Sequence, residues 1–268
     1  MKNIIRTGTG MLALALVLSG APVAFMPAHA AGAAPPQSAA GSESRAIAAG
    51  VVNVIMNGPI DLRLRQSATP ELLVKGDPKL VARITTRVDG NTLYVGTRGI
   101  FIAIGAQQAS RIELSLPNLE KLQMQGSGDA NLIGLRGQRI ELVLRGSGDL
   151  VFDGDYQQVQ ASLSGSGDLR MSLGNAENVE LSMLGAGNAS IKGQARALRA
   201  KIDGTGDLDS TALKAQQVSL SSMGASDAKI FASQEVKIKL MGSGDAQVYG
   251  NPARRNVERI GSGDIRWE

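Results

Sequence analysis

The 268-residue sequence contains no cysteine and a single histidine, His29. Disulfide staples are thereby excluded. His29 falls inside a segment that carries the marks of removal on export, so the mature chain is expected to lack both residue types. That absence rules out His-based triads, Cys nucleophiles and zinc sites ligated by His or Cys. Aromatic residues are scarce, at 3% of the chain. Tyr156, Tyr249 and Trp267 are the only Tyr or Trp residues beyond Gly126, which leaves few platforms for stacking sugar rings. No stretch after Ala30 is long and apolar enough to span a membrane as a helix.

Glycine, by contrast, is abundant: 33 residues, nearly double ordinary usage. With 43% apolar residues the chain can build a core, so repeated tight turns rather than disorder must account for the glycine.

Residues 1–30 combine a basic start (Lys2, Arg6), an apolar run from Met11 to Phe25 and the small-residue site Ala28-His29-Ala30. This is the pattern of a cleaved secretory signal peptide. Gly20, Pro22 and Pro27 interrupt the run and argue against a membrane anchor. Without a Cys at the cleavage point the product is not expected to be a lipoprotein. It is expected in the periplasm or outside the cell. Residues 31–45 are small, polar and Pro-containing, and read as a flexible lead-in, with folding starting near Ala46. Setting aside Lys2 and Arg6, 26 basic residues face 24 acidic ones, which gives nucleic-acid binding no electrostatic footing. The densest basic cluster, Arg254-Arg255 with Arg259, reads as a solvated edge.

A tetrapeptide then dominates the chain. Gly126-Ser127-Gly128-Asp129 returns in the same or a close form starting at Gly146, Gly165, Gly185, Gly204, Gly224, Gly242 and Gly261, a nearly constant spacing. Between copies the apolar residues alternate, as in Ile140, Leu142, Leu144 and again in Val236, Ile238, Leu240. That is strand periodicity. Each period reads as strand, glycine corner, strand and a polar loop such as 134–139 or 174–178. One such unit cannot bury its own apolar face, whereas stacked copies share a continuous interior. The predicted fold is all-β: a single-stranded right-handed parallel β-helix, or β-solenoid, of about 19 to 20 residues per coil. Eight coils at ~4.8 Å would rise about 38 Å. Counting by twos from Leu144 turns Gly146 and Gly148 inward, and turns Ser147 and Asp149 outward. Residues 46–125 lack the tetrapeptide but stay strand-like, and are expected to form irregular first coils and a cap before the regular coils of 126–268. At the other end the repeat runs to Trp267-Glu268 with no capping segment, so a bare end for a partner or for end-to-end self-association is expected.

The chain resembles the family called putative auto-transporter adhesin, head GIN domain, over residues 46–268. The resemblance lies in Leu73-Val74-Lys75-Gly76-Asp77-Pro78-Lys79-Leu80, in 86–95 with its Asp89-Gly90-Asn91 turn, and in 112–122 leading into the first Gly-Ser-Gly-Asp. It implies an exported single-chain β-helix with no established enzymatic role. A complete auto-transporter would continue into a membrane barrel where this sequence stops, so self-translocation is not expected.

The candidate site is the outward acidic column Asp129, Asp149, Asp168, Asp207, Asp227, Asp245 and Asp264, with Asn188 at the fourth place. Charges ~4.8 Å apart repel by about 1 kcal/mol even in water, so something must offset them. Carboxylates accepting backbone N–H or Ser hydroxyl bonds at the corner would do so. Calcium bridging adjacent rungs is the second reading, since oxygen ligands suit that ion. Polysaccharide-active β-helices need a cleft built on longer loops, and every period between Gly126 and Glu268 keeps to the ordinary coil length. Catalytic residues and cofactors are therefore not expected. Met124, Met171, Met183, Met223 and Met241 read as core filler. Ile100, Phe101, Ile102 and Ile104, between Gly99 and Ser110, read as a buried strand first and an exposed contact patch second. The function that follows is a non-catalytic recognition, adhesion-like or scaffold module of the cell envelope, with an unidentified envelope glycan or protein as partner. The alternative is a polysaccharide-binding or polysaccharide-active β-helix, with or without a dependence on calcium.

Overall fold

The computed structural model describes residues 41–99 and 110–268, which belong to one compact unit. The expected signal sequence and the Ile100–Ile104 stretch lie outside the described residues. Six long strands follow one another at the tetrapeptide's own period: β9 (Ala130–Gly146), β10 (Leu150–Gly165), β11 (Leu169–Gly185), β12 (Ala189–Gly204), β13 (Leu208–Gly224) and β14 (Ala228–Gly242). Each pairs in parallel with the next, like residue over like. Leu144, Leu163, Met183, Ile202, Ser222 and Leu240 form one vertical file in this way. The protein is a β-solenoid of stacked parallel coils, and its apolar files join into one continuous core.

Corners work differently from the alternation count. The second glycine of each corner does face inward, and Gly148 is buried. The first does not: it is partly exposed and takes a positive φ, +135° at Gly146, a backbone conformation that side-chain-bearing residues avoid. At both positions a Cβ would run into a carbonyl oxygen one coil back, that of Gly126 for Gly146 and that of Gly128 for Gly148. Backbone shape and close coil-to-coil approach, rather than inward direction alone, thus fix the two glycines.

The expected polar loops are also absent as loops. The strands run through these segments, and only register shifts mark the bend, for example between Gly154 and Gln158 or between Ser172 and Asn175. Here too a file of side chains points inward: Ala176, Ala195, Ala215 and Ala232. Tyr156 fills the same region one coil before Ala176, where Gly137 makes room for its ring.

The N-terminal coils do not stack in chain order. β2 (Asn53–Asn57) pairs in parallel with both β6 (Thr92–Thr97) and β8 (Lys121–Gly126). β3 (Asp61–Gln66) pairs in parallel with both β7 (Arg111–Leu116) and β9. The coil formed first in sequence is therefore the second in space. β4 (Glu71–Lys75) runs antiparallel to β7, and β5 (Ile84–Asp89) antiparallel to β6, so the outermost coil does not end in bare edges. Between them α1 (Pro78–Val81) turns the chain; Asp77 caps it by accepting the Lys79 N–H at 2.8 Å. β1 (Ser42–Arg45) pairs antiparallel with β4, so ordered structure begins inside the 31–45 segment expected to be a lead-in.

The final coil is made of β15 (Ala246–Tyr249), β16 (Arg254–Gly261) and β17 (Ile265–Trp267). Its interior places are mixed: Val257 stands over Ile238, Ile265 over Ala246 and Trp267 over Val248, but two places are basic. Arg255 stands over Val236 and Arg259 over Leu240. The Arg255 guanidinium lies 4.1 Å from the centre of the Trp267 ring, and Arg259 donates to the Gly263 carbonyl at 3.1 Å. Among the described residues no strand pairs with the outer side of this coil, as expected of a bare end, and Val257 and Trp267 stay exposed there beside the two arginines. Arg255 and Arg259 thus continue core files of the coil before, and with Arg254 they remain exposed on the outermost coil, as the solvated-edge reading has it.

Candidate functional site

Every residue of the predicted acidic column stands in one file, and each carboxylate from Asp129 to Asp245 has a definite backbone partner. The Asp149 N–H donates to Asp129 Oδ1 at 2.9 Å, and the Asp168 N–H to Asp149 Oδ1 at 2.9 Å. Asn188 takes its place by accepting from Asp207 and donating its backbone N–H to Asp168. The file continues through Asp227 and Asp245 to Asp264, whose own Oδ1 accepts from Arg259. Each side chain thus satisfies a corner N–H of the following coil, which otherwise has no strand partner. Of the two expected hydrogen-bond donors, backbone N–H and Ser hydroxyl, the backbone N–H is the one present, and it comes from the next coil rather than from the same corner.

One member escaped the sequence reading. The Asp129 N–H donates to Asp61 Oδ1 at 3.2 Å, so Asn57-Gly58-Pro59-Ile60-Asp61 is the first corner of the file. A positive φ of +109° at Gly58, ahead of the Asp as in the later corners, marks the same turn. The available signal was the Gly-x-x-Asp spacing, hidden because Pro59 and Ile60 replace the small residues.

The second carboxylate oxygens are used unevenly. Arg170 bridges Asp149 Oδ2 (3.3 Å) and Asp168 Oδ2 (3.2 Å), and Arg266 reaches Asp245 Oδ2 at 3.3 Å. Between them, beside Asp207 and Asp227, lies a hollow of about 470 Å³ floored by the small residues Ala189 and Ser190. Among the described residues no three His, Cys, Asp or Glu side chains come together in an arrangement suited to a metal ion.

The wall on the other side of the glycine corner has a different character. Its outward rows include Gln160, Glu180, Arg199 and Ser219, and alongside them Ser162, Ser182, Lys201 and Ser221. Two hollows of about 300 and 380 Å³ lie on these rows. A third row carries the exposed apolar residues Leu184, Met223 and Ile260; Met223, expected in the core, is half exposed.

Among the described residues, two groups titrate away from their ordinary values. Burial pushes the Tyr156 phenol up to about 12, with the Glu120 carboxylate adding to the effect; its hydroxyl donates to the Leu119 carbonyl at 2.9 Å. Glu235 is held below its ordinary value by the hydrogen bond from Lys237, with Arg254 contributing. Neither belongs to a cluster of reactive groups.

The architecture is that of a parallel β-solenoid with saturated corners and flat side walls. The model of the family described as "Putative auto-transporter adhesin, head GIN domain" matches residues 52–252, and the chain belongs to that family. Solved structures share the fold. A "putative lipid binding protein" of Parabacteroides distasonis is 20% identical with a TM-score of 0.74, over 85% of this chain and 97% of its own. A "putative adhesin" of the same species gives 0.73 at 20% identity, over 85% and 96%. A "putative adhesin" of Bacteroides fragilis gives 0.66 at 20% identity, also over 85% and 96%. No curated protein sequence is similar enough to count as a relative. No helix of the described residues is long and apolar enough to cross a membrane.

Proposed function

We propose that the chain is an exported, non-catalytic module that uses the side walls of its solenoid for recognition or attachment at the cell envelope. The single observation that carries this reading is the aspartate file. It directs the corner side chains into coil-to-coil bonding, so the corners serve the scaffold and the flat walls are left for contact. The adhesin name of the family supports it, as do the names of two structural neighbours. The basic and apolar start of the sequence supports export.

The test is binding of the purified protein to isolated cell envelopes and to whole cells. Saturable binding that unlabelled protein competes away is expected; no saturable binding to either would overturn the reading. No cofactor is proposed, because each Oδ1 from Asp129 to Asp245 already accepts a backbone N–H, Arg170 and Arg266 take further oxygens, and Arg259 meets Asp264. The melting temperature is accordingly expected to be the same in millimolar calcium and in chelator, and a rise with calcium would restore the cation reading of Asp129 to Asp264.

A further inference from the structure

The two hollows on the non-aspartate wall share Gln160, Glu180 and Arg199, so they form one continuous trough across several coils. Its origin is a matter of side-chain length. Ser162, Ser182, Ser219 and Ser221 supply a low floor, and long side chains stand at the rim. Along the solenoid axis it reaches from the coil of Arg139 to that of Ser219, four steps of strand spacing or about 19 Å.

The charge of the trough is one-sided. Arg139, Arg196 and Arg199 line it against the single carboxylate of Glu180, while Lys201, also on its lining, is paired with Asp203 at 2.7 Å. Among the described residues Arg139 has no hydrogen-bonding or ion-pair partner. Arg196 donates only to the Asn178 side chain, at 3.0 Å, and Arg199 meets Glu180 at a loose 3.6 Å. Guanidinium groups left free in this way are suited to grip carboxylates through paired N–H donors. The hollow beside the aspartate file has the opposite balance, with Asp168, Asp207, Asp209 and Asp227 against Arg170 and Lys229. Polarity thus separates the two faces.

We infer that this trough binds a linear acidic polysaccharide, with Arg139 and Arg196 holding sugar carboxylates and the amides and hydroxyls of Gln158, Gln160 and the serines meeting sugar hydroxyls. The inference rests on the recognition reading above and names its face and ligand class. Outward rows that repeat at the strand spacing, with serines on the floor in three of the coils, suit a repeating polymer. No aromatic ring lines the trough, so stacking on neutral sugars or on bases contributes nothing there, and charge with hydrogen bonding must provide the affinity. No large apolar side chain faces outward in it, which separates it from a surface that enters lipid.

The test uses polygalacturonate as probe, its methyl ester as the same backbone without charge, and phosphatidylglycerol vesicles. Calorimetry of the purified protein should show binding of polygalacturonate that weakens with salt and is at least about tenfold weaker for the methyl ester and the vesicles. The double variant Arg139→Gln/Arg196→Gln should lose at least about tenfold in affinity while melting like the parent. Arg170→Gln, on the acidic face, should bind as the parent does. Absence of binding, equal binding of the methyl ester, equal binding of the vesicles, or a double variant that binds normally would each overturn the inference. Envelope binding measured in parallel separates the two claims. A parent that binds envelopes but not polygalacturonate loses only the trough assignment, and a parent that binds polygalacturonate but not envelopes loses only the envelope reading.

Discussion

The hydroxyls of Ser222 and Ser226 lie 2.7 Å apart in the interior of the solenoid, both side chains shielded from solvent. In the neighbouring coils the first of these places holds Ile202 or Leu240 and the second holds Gly206 or Gly244. A large apolar residue beside a glycine has been exchanged for two small polar residues that satisfy each other.

Ser226→Ala is expected to lower stability by about 1–2 kcal/mol, because it strands the Ser222 hydroxyl in an apolar surround. Combining Ser222→Leu with Ser226→Gly restores the arrangement of the adjacent coils and should recover at least that loss. Urea unfolding of the parent, the single and the double variant decides the matter: a double variant less stable than Ser226→Ala would show that the two places do not compensate.

At Gly148 a methyl group has nowhere to go, because the coil beneath approaches with backbone rather than with a side chain that could move aside. Gly148→Ala should therefore cost roughly 3 kcal/mol or more. Ser147→Ala, one residue away on the exposed side, should stay within about 0.5 kcal/mol, as Ala186 and Ala225 at equivalent places suggest. Equal effects of the two changes in thermal unfolding would refute the close-approach explanation.

The aspartate file needs an acceptor oxygen at each corner more than it needs charge, since Asn188 serves within it. Asp149→Asn is expected to cost less than about 1 kcal/mol, reflecting only its exposed contact with Arg170. Asp149→Ala also removes the acceptor for the Asp168 N–H and should cost about 1–2 kcal/mol. Hydrogen exchange at the Asp168 amide gives a local check: it should speed up in the Ala variant and not in the Asn variant.

Tyr156 should make the fold sensitive to alkali. Its phenol ionises near 10 when unfolded and at about 12 when folded, so the folded state holds the proton more tightly. The resulting stabilisation is complete below pH 10, shrinks as pH rises from 10 to 12, and amounts to ~3 kcal/mol. Tyr156→Phe should flatten that part of the stability profile. At neutral pH it should also cost about 1 kcal/mol, because the Leu119 carbonyl loses its donor. An unchanged slope between pH 10 and 12 would exclude Tyr156 as the source.

The solenoid and its acidic file were legible because both are written locally and repeatedly: alternation set the faces, and the evenly spaced tetrapeptides set the coil length. Features created by contact between distant segments were not legible. Asp61 joins the file only when β3 lies beside β9, and no local pattern announces that β2 and β3 are inserted beneath a later segment. The bends near Gly154 and Ser172 looked like loops because polar residues there mimic turn signals, although the ladder absorbs them as shifts in register. The trough, too, depends on serines from several coils lying side by side, which emerges only once the register is known.

The insertion of β2 and β3 between neighbours on both sides bears on how the molecule would carry load. Tension arriving from the N-terminal side would first draw β1 from β4, its one strand partner among the described residues, and then meet β2, clamped by two parallel ladders that must slide at once rather than open one bond at a time like a zip. Because the chain's early strands are locked beneath later ones, the route into the solenoid doubles as its anchor.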